Sequence, residues 1–364
     1  MKLIAPLPTC RLCTFLLAAA SLTNCVSAQE RVTATTPTDW LQAMDNAFRS
    51  LNYDGVFEYS IASHSQIRIK QQRGDRTFSV TADVARDITV ASFRIVHMVV
   101  DGVEHERIVH RGGPQREILR TGAQVSYIVP QDDESFALQG DLPTGPYPRL
   151  FMRSEGLSQN YRFKISGRQR VIGRPSVCLE VRPLDDNRFG YLLWLDEETG
   201  LLLRSELRDR NGRYLESVKF VSLKVGDAVM ENALQPDMPA IAIRPPVGFS
   251  EVPAAPRVPV NWAIGWVPAG FRIADASTHD ATKGATKDGT KKGVHVMFSD
   301  GLATFSVFVE PAPRSAAGGV FSRRGATVLL SHDLAGERGD YLVTVVGEVP
   351  PQTAQRIAES VYRE

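Results

Sequence analysis

The 364-residue sequence predicts an α+β protein made mainly of antiparallel sheet and divided into two domains. Short runs of alternating apolar and polar residues recur along the chain, and such alternation is typical of strands with one buried face. Turns rich in glycine, aspartate and asparagine separate the runs, which favours hairpins. Between residues 236 and 259 seven prolines interrupt the pattern. Because proline cannot donate to a β-ladder and stiffens the chain, this segment is predicted to be a linker.

Composition places the chain among ordinary globular proteins. Hydrophobic residues make up 43% and charged residues 23%, values that argue against disorder throughout. The 42 basic residues nearly balance the 41 acidic residues and leave a formal charge of +1. A dedicated nucleic-acid binder usually carries a basic face, so no nucleic-acid partner is expected.

Residues 1–28 have the pattern of a secretory signal peptide. Lys2 and Arg11 make this segment basic, Leu12 to Leu22 is an apolar run, and the small residues Val26 to Ala28 fit a cleavage site. The apolar run is too short to span a bilayer. We therefore expect an exported, soluble protein that is cleaved after residue 28.

Three of the four cysteines lie within this predicted signal. An alternative interpretation makes Cys25 the acylated residue of a lipoprotein, although Asn24 fits the lipoprotein pattern poorly. After cleavage only Cys178 would remain, so no internal disulfide is expected. Cys178 lies in a strand-like run and is interpreted as a buried, inert thiol. An intermolecular disulfide or a redox role is the alternative.

The first domain is predicted to begin with a helix and to continue as strands. Asp39 is assigned as the helix N-cap with Gln42 at the third helical position. Alternation at Phe57, Tyr59 and Ile61 predicts the first strand. Further strands are predicted at 93–100, 105–110, 115–120, 124–129, 161–168, 176–182, 189–195, 201–209 and 213–224. Tight hairpins are expected at Asp101-Gly102, Thr121-Gly122 and Asn211-Gly212, because glycine and asparagine accept positive φ.

The second domain is predicted to begin near Val260. Its strands are expected at 294–299, 302–310, 326–332 and 340–347. A closing helix starts at Pro350-Pro351, and its apolar stripe consists of Ala354, Ile357, Ala358 and Val361. Residues 281–293 form a lysine-rich segment of low complexity, which we interpret as a mobile loop. A basic docking loop for anionic lipid or protein is the alternative.

Some segments resemble catalytic or metal-binding motifs, but their residue spacing differs from the spacing that those motifs require. His105 and His110 resemble a zinc-protease pair, but that pair needs a spacing of four residues on a helix. Here the spacing is five, on a predicted strand, where an odd offset points two side chains to opposite faces. The acidic turn Asp185-Asp186 lacks calcium-loop spacing and is interpreted as solvated. No nucleophile elbow, P-loop or dinucleotide fingerprint occurs. We therefore expect no enzyme, no metal and no cofactor.

Several segments are similar to the MucB/RseB family of periplasmic regulators of envelope-stress sigma factors. In the C-terminal part the similar segments are WVPAGF at 266–271, FSDGLATFSV at 298–307 and VGEVPPQTAQRIA at 346–358. In the N-terminal part they are SLNY at 50–53, DGVEHER at 101–107, WLD at 194–196 and TGL at 199–201. The resemblance covers most of residues 38–364.

The resemblance implies a fold and a partner. The N-terminal domain, residues 29–235, would resemble the lipoprotein carriers LolA and LolB, a strongly curved antiparallel half-barrel with helices on its concave face. A linker at 236–259 and a smaller α/β domain at 260–364 would follow. The resemblance also implies a periplasmic protein that binds the periplasmic part of an RseA/MucA-like anti-sigma factor and shields it from regulated proteolysis. Lipid or lipopolysaccharide would release that partner, and formation of a homo-oligomer is left open.

A curved sheet can leave an apolar cavity when its side chains do not fill it. The candidate lining residues for a lipid pocket are Phe57, Tyr59, Ile118, Tyr127, Phe163, Ile165 and Leu193. The alternative is that these residues are ordinary core.

The sequence is therefore compatible with two functions from different classes: a regulator that binds an anti-sigma factor, and a lipid or lipoprotein carrier. The C-terminal domain with its linker favours the regulator, because a simple carrier does not need it. Residues 64–92 and the loop at 281–293 depart from the family pattern and are interpreted as insertions.

Overall fold

The structure is a computed structural model that describes residues 32–73, 76–112, 116–122, 124–129, 156–237, 241–243, 262–280, 292–311, 320–335 and 340–363. Side chains are described in these ranges except at 63–87, 125, 127, 129, 241–243, 279, 280 and 292. The predicted signal peptide with Cys25, most of the predicted linker, and residues 281–291 of the predicted loop lie outside the described residues.

The first element of the described residues is helix α1, Pro37–Ser50. Its N-cap is Thr36, whose hydroxyl accepts the backbone N–H of Asp39, while the Asp39 carboxylate accepts the backbone N–H of Thr36 at 2.8 Å. The assignment of Asp39 as N-cap was wrong by three residues. Pro37 explains the difference, because proline fits the first helical position and lets the helix begin one turn earlier.

A large antiparallel sheet follows, and its strands appear in the order β11-β5-β4-β3-β2-β1-β10-β9-β8-β7-β6. The strands are β1 Tyr53–Arg73, β2 Arg76–Val100, β3 Val103–His110, β4 Glu117–Thr121, β5 Gln124–Val129, β6 Tyr161–Val171, β7 Arg174–Pro183, β8 Gly190–Asp196, β9 Leu202–Arg208, β10 Tyr214–Val225 and β11 Ile241–Ile243. We call α1 and this sheet, residues 32–243, the N-terminal lobe. β11 falls within the range predicted as linker and pairs with β5 at the sheet edge.

The predicted insertion at 64–92 lies within β1 and β2. The two strands pair without a long break from Tyr53 opposite His97 to Arg73 opposite Arg76. β10 pairs with β1 only as far as Ile61, so the hairpin extends beyond the neighbouring strand. Residues 64–92 therefore elongate a hairpin and do not form a separate loop.

Two predicted turns illustrate how local chemistry sets the hairpins. Asp101 and Gly102 join β2 to β3 with φ values of 51° and 78°, the left-handed pair that a tight hairpin requires. At the Asn211-Gly212 turn, which joins β9 to β10, only Gly212 has a positive φ, 76°. The Asp209 carboxylate accepts the backbone N–H groups of Asn211 and Arg213, both at 2.9 Å, and so holds a longer loop.

The remaining elements form the C-terminal lobe, residues 262–363. Six strands pair in the order β13-β14-β15-β18-β17-β16, and β12 pairs with β19. The elements are β12 Trp262–Ile264, β13 Arg272–Asp280, β14 Lys292–Ser299, β15 Thr304–Pro311, β16 Phe321–Arg324, β17 Thr327–Leu334, β18 Tyr341–Gly347, α2 Pro351–Glu359 and β19 Val361–Arg363. Ala354, Ile357 and Ala358 of the predicted stripe lie in α2 and are buried against this sheet. Val361 is buried as well, but it lies in β19, because the helix ends at Glu359. The predicted α+β class, a large antiparallel sheet followed by a smaller α/β part, is confirmed.

Cys178 lies on β7 and is half-buried rather than buried. The Ser166 hydroxyl donates to its Sγ at 3.1 Å. Burial raises the pKa of the Cys178 thiol, which lowers the thiolate fraction and with it the reactivity.

The candidate ligand face and the contact between the lobes

Strand register places the seven candidate pocket positions on one side of the large sheet. One cross-strand row runs from Ile165 through Leu193 to Tyr59, and directly paired residues share a face. Phe163 and Phe57 lie two residues away from members of that row on their strands, and the period of two keeps them on the same side. Ile118 and Tyr127 pair with each other and connect to this side through β3 and β2. The Tyr127 side chain lies outside the described set.

We call this side the inner face, because α1 packs on it. Trp40 and Met44 of α1 belong to one buried cluster with Leu193, and Phe163 and Ile165 pack against that cluster. Ala47 of α1 belongs to a second cluster with Phe57, against which Tyr59 and Ile118 pack. In this conformation the described candidates therefore contact core residues, with Phe57 0% and Leu193 1% exposed.

A cleft of about 250 Å³ lies elsewhere, at the end of β3 and β4. Its walls include His105, Glu106, Arg120, Leu234 and Pro236, and none of the six candidates whose side chains are described lines it. His105 and His110 pair with Met98 and Phe93 on β2 without a bulge, so their rings lie on opposite faces as predicted. The predicted strand position of the two histidines and their orientation to opposite faces are therefore confirmed.

The C-terminal lobe contacts the inner face through a polar residue that the sequence did not single out. Glu216 on β10 accepts the Tyr59 hydroxyl at 2.6 Å and the backbone N–H of Ala326 at 2.7 Å. Ala326 lies in the turn between β16 and β17. Burial raises the pKa of Glu216, and burial together with the Glu216 charge raises the pKa of Tyr59. One carboxylate therefore joins a candidate pocket residue to the other lobe.

A second polar contact between the lobes is fully buried. The Arg188 guanidinium and the Asp300 carboxylate are 2.6 Å apart, and both side chains are 0% exposed. The Tyr161 hydroxyl donates to the same carboxylate oxygen at 2.9 Å, and Arg188 also donates to the backbone oxygen of Ala269 at 2.5 Å. Asp185 accepts two further bonds from Arg188. Asp185 is therefore only 32% exposed and paired with a buried cation, whereas Asp186, 76% exposed, is a solvated loop charge as predicted.

Apolar side chains complete the contact. Leu302 and Ala326 of the C-terminal lobe belong to the same buried cluster as Trp40 and Leu193. The lobes thus share a core instead of meeting only through water-exposed surfaces. No sequence signal marks the contacts of Glu216 and Arg188 with the other lobe, because Ala326 lies 110 residues from Glu216 and Asp300 lies 112 residues from Arg188. Asp300 does lie in the FSDGLATFSV segment, but the resemblance of that segment to the family did not predict the contact with Arg188.

No helix in the described ranges is long and apolar enough to cross a membrane. No group of three or more histidine, cysteine, aspartate or glutamate side chains in them is arranged to hold a metal ion.

Comparison with known proteins gives consistent matches over both lobes. The N-terminal domain model of the MucB/RseB family matches residues 66–238, and its C-terminal domain model matches residues 256–362. The sigma factor AlgU regulatory protein MucB of Pseudomonas aeruginosa is 31% identical over 327 residues, which cover 90% of each chain. The sigma-E factor regulatory protein RseB of Escherichia coli K12 is 29% identical, with 88% of this chain and 89% of that protein aligned. The solved complex of Pseudomonas aeruginosa MucA/MucB matches with a TM-score of 0.67 at 29% identity, covering 90% of this chain and 99% of that chain.

Proposed function

Because the chain belongs to the MucB/RseB family, we propose that it is a periplasmic negative regulator of an envelope-stress sigma factor. It binds the periplasmic part of an RseA/MucA-like transmembrane anti-sigma factor and shields that part from regulated proteolysis. The observation that carries the proposal is the match of both family models along the chain, together with the solved complex of the relative MucB with MucA. The signal peptide predicted at residues 1–28 would deliver the protein to the periplasm.

The two lobes suit a binding protein. They present a continuous surface, because the buried Arg188–Asp300 pair and the shared apolar cluster hold them together. A partner that spans both lobes is shielded from a protease over the whole covered length, since a protease needs an extended and accessible segment.

A pull-down tests this function. The mature protein should capture the periplasmic segment of the anti-sigma factor from the same organism, and it should slow cleavage of that segment by the site-specific protease of the pathway. A mature chain lacking residues 260–364 should capture less. Failure of the full mature chain to bind the segment would remove the proposal.

Release by lipid is the finer part of the proposal, and the inner face would take the acyl chain. Burying one methylene group is worth about 0.8 kcal/mol, so roughly 14 methylenes would contribute about 11 kcal/mol gross. Ordering the chain and opening the site offset much of this. The described inner-face residues pack against core side chains, so a bound chain requires α1 or the C-terminal lobe to move.

Charge on the inner face tests the ligand. Tyr127→Asp, at the position paired with Ile118, should weaken binding of a fluorescent fatty acid. Ser126→Asp, at the neighbouring position paired with Leu119, is the matched control and should bind normally. Equal binding by both folded variants would remove the inner face from the proposal and leave the partner function standing.

A lipid or lipoprotein carrier is the second candidate, because its ligand would use the same inner face. Contact of the C-terminal lobe with that face favours the regulator, since a carrier that loads and unloads gains nothing from a second lobe on its binding surface. Transfer of acyl ligand to acceptor vesicles at the same rate with and without the anti-sigma segment would favour the carrier.

A further inference from the structure

The turn between β16 and β17 rests on the inner face of the N-terminal lobe. Gly325 donates its backbone N–H to the carbonyl oxygen of Ala62 at 3.2 Å, just beyond the point where β10 stops pairing with β1. Ala326 donates its backbone N–H to Glu216, and its own side chain is 0% exposed. The turn therefore occupies the place beside β1 that β10 leaves.

The fit of this turn is close enough to require glycine. A Cβ atom at Gly325 would lie 2.3 Å from Oε1 and 2.7 Å from Cγ of Glu216. Its φ is +59°, in the left-handed region that favours glycine. Leu302, from the turn between β14 and β15, reaches the same apolar cluster as Leu193. Two turns of one lobe thus cover part of the inner face of the other.

We propose that the β16–β17 turn is an autoinhibitory cover on the acyl-chain site. The turn must lift from Tyr59 and Glu216, together with the C-terminal lobe that carries it, before an acyl chain can lie along the inner face, so the closed contact and the bound lipid exclude each other. This inference rests on the proposed lipid function and names its regulation. The ligand chemistry is an acyl chain, whether it comes from a free fatty acid, a phospholipid or lipopolysaccharide.

The energetics of the contact suit a cover that opens. Glu216 is 9% exposed, and a buried carboxylate is costly unless its hydrogen bonds are satisfied. The bonds from Tyr59 and Ala326 offset that cost while the turn is down, and water does so once the turn has lifted. The net free energy of closure is therefore the small difference between two large contributions. A ligand shifts the population toward the open state by the factor by which it binds the open state more tightly than the closed state.

A reversible lock tests the cover. An ideal Cβ at Gly270 lies 2.5 Å from Cγ of Asn160, one carbon–carbon bond from the Asn160 Cβ. The two Cβ atoms therefore lie no more than about 4.0 Å apart, which overlaps the Cβ separation of about 3.5–4.5 Å found in disulfides, so cysteines at the two positions are close enough to be joined. The variant Asn160→Cys/Gly270→Cys, made with Cys178→Ser, should bind cis-parinaric acid at least about tenfold more weakly when oxidised, because only the open fraction binds. Reduction should restore binding in the same molecule.

A side chain added at Gly325 should have the opposite effect to the disulfide and strengthen lipid binding. Gly325→Ala should lift the turn and tighten binding of cis-parinaric acid by roughly tenfold, since the fraction competent to bind rises. Gly122→Ala is the matched control, because Gly122 has φ +56° and an added Cβ meets nothing closer than 3.7 Å. In the wild type, saturating lipid should also accelerate hydrogen exchange at the Gly325 and Ala326 amides. Displacement by phosphatidylglycerol vesicles or by lipopolysaccharide then distinguishes the source of the chain.

The outcomes separate the cover from the ligand. Equal binding by the oxidised and reduced forms of the locked variant would overturn the cover and leave lipid binding intact. Absence of binding in every form, the Gly325→Ala variant included, would overturn both the cover and the lipid part of the proposed function. Neither result touches the capture of the anti-sigma segment, which is measured without lipid.

Discussion

Arg188 places a buried positive charge in the contact between the lobes, and this charge is compensated by hydrogen-bonding partners. Its guanidinium contacts Asp300, Asp185 and the backbone oxygen of Ala269. The Asp300 carboxylate in turn accepts the backbone N–H groups of Leu302 and Ala303. Such a pair adds little over an apolar pair of the same shape, but its disruption leaves a buried charge without compensation.

Removal of one partner of this pair is therefore costly. Arg188→Gln should lower the free energy of unfolding by about 3–5 kcal/mol, measured by urea denaturation. Arg49→Gln, which breaks the exposed pair with Asp45, should change it by less than about 1 kcal/mol. Adding Asp300→Asn to Arg188→Gln should recover part of the loss, because this change removes the buried negative charge that Arg188→Gln leaves unpaired. The amide oxygen at position 300 can still accept the backbone N–H groups of Leu302 and Ala303. Additive losses in the double variant would contradict this account.

Asp39 gives a residue-level prediction on pH. Hydrogen bonds from the backbone of Thr36 and of Thr35 lower the pKa of Asp39 from 3.8 to about 2. A carboxyl whose pKa is lower in the folded state stabilises the fold above its unfolded pKa, and that contribution is lost as the pH falls through the folded value. An NMR titration should therefore give a midpoint near pH 2 for Asp39, with the α1 cap loosening between pH 4 and 2. A midpoint near 4 would show that the capping box does not form in solution.

At the scale of elements, Gly347 allows β18 to approach β15. It pairs with Phe305, and an added Cβ would lie 2.4 Å from the Phe305 Cα. That neighbour is backbone, which cannot rotate away as a side chain can. This packing gives a physical reason for the glycine in the VGEVPPQTAQRIA segment.

Gly347→Ala should therefore force the two strands apart. We expect a loss of about 1–3 kcal/mol in the free energy of unfolding, the usual range for overpacking. Gly112→Ala is the control, because its added Cβ would meet its nearest neighbour at 4.0 Å. Equal midpoints for the two variants in urea would show that β15 and β18 are further apart than the structure places them.

The strands were predictable where the information is local. Period-two alternation and turn chemistry located β3 to β10, and the same period placed the candidate pocket residues on one face. The strands β11, β12, β13, β16 and β19 were missed. Ile241–Ile243, Trp262–Ile264 and Val361–Arg363 are too short, Arg272–Asp280 has few apolar residues and Phe321–Arg324 has one. The contact between the lobes was out of reach, because the partners of Glu216 and Arg188 are set by tertiary packing and leave no periodic trace.

At the scale of the whole molecule, the contact between the lobes links two proposed ligands. The candidate lipid residues and the Glu216 contact share the inner face, while the partner is proposed to span both lobes. Lipid would favour separated lobes, and a partner that spans the closed lobes would favour contact. Two ligands that prefer different states of one protein compete without sharing a site.

The linkage has a quantitative consequence, because coupling between two binding sites is reciprocal. If lipid weakens binding of the anti-sigma segment by a given factor, the segment must weaken lipid binding by the same factor. A differential affinity of about 10⁴ would move almost the whole population, whereas equal affinity for both states would shift nothing.

Calorimetric titration of lipid into the mature protein, with and without saturating anti-sigma segment, measures the factor by which the segment weakens lipid binding. Titration of the segment with and without lipid measures the factor by which lipid weakens binding of the segment. We expect equal factors above about 5, and an oxidised Asn160→Cys/Gly270→Cys variant should hold the segment in the presence of lipid. Unchanged lipid affinity at saturating segment would rule out release by lipid and leave the shielding of the partner as a role independent of it.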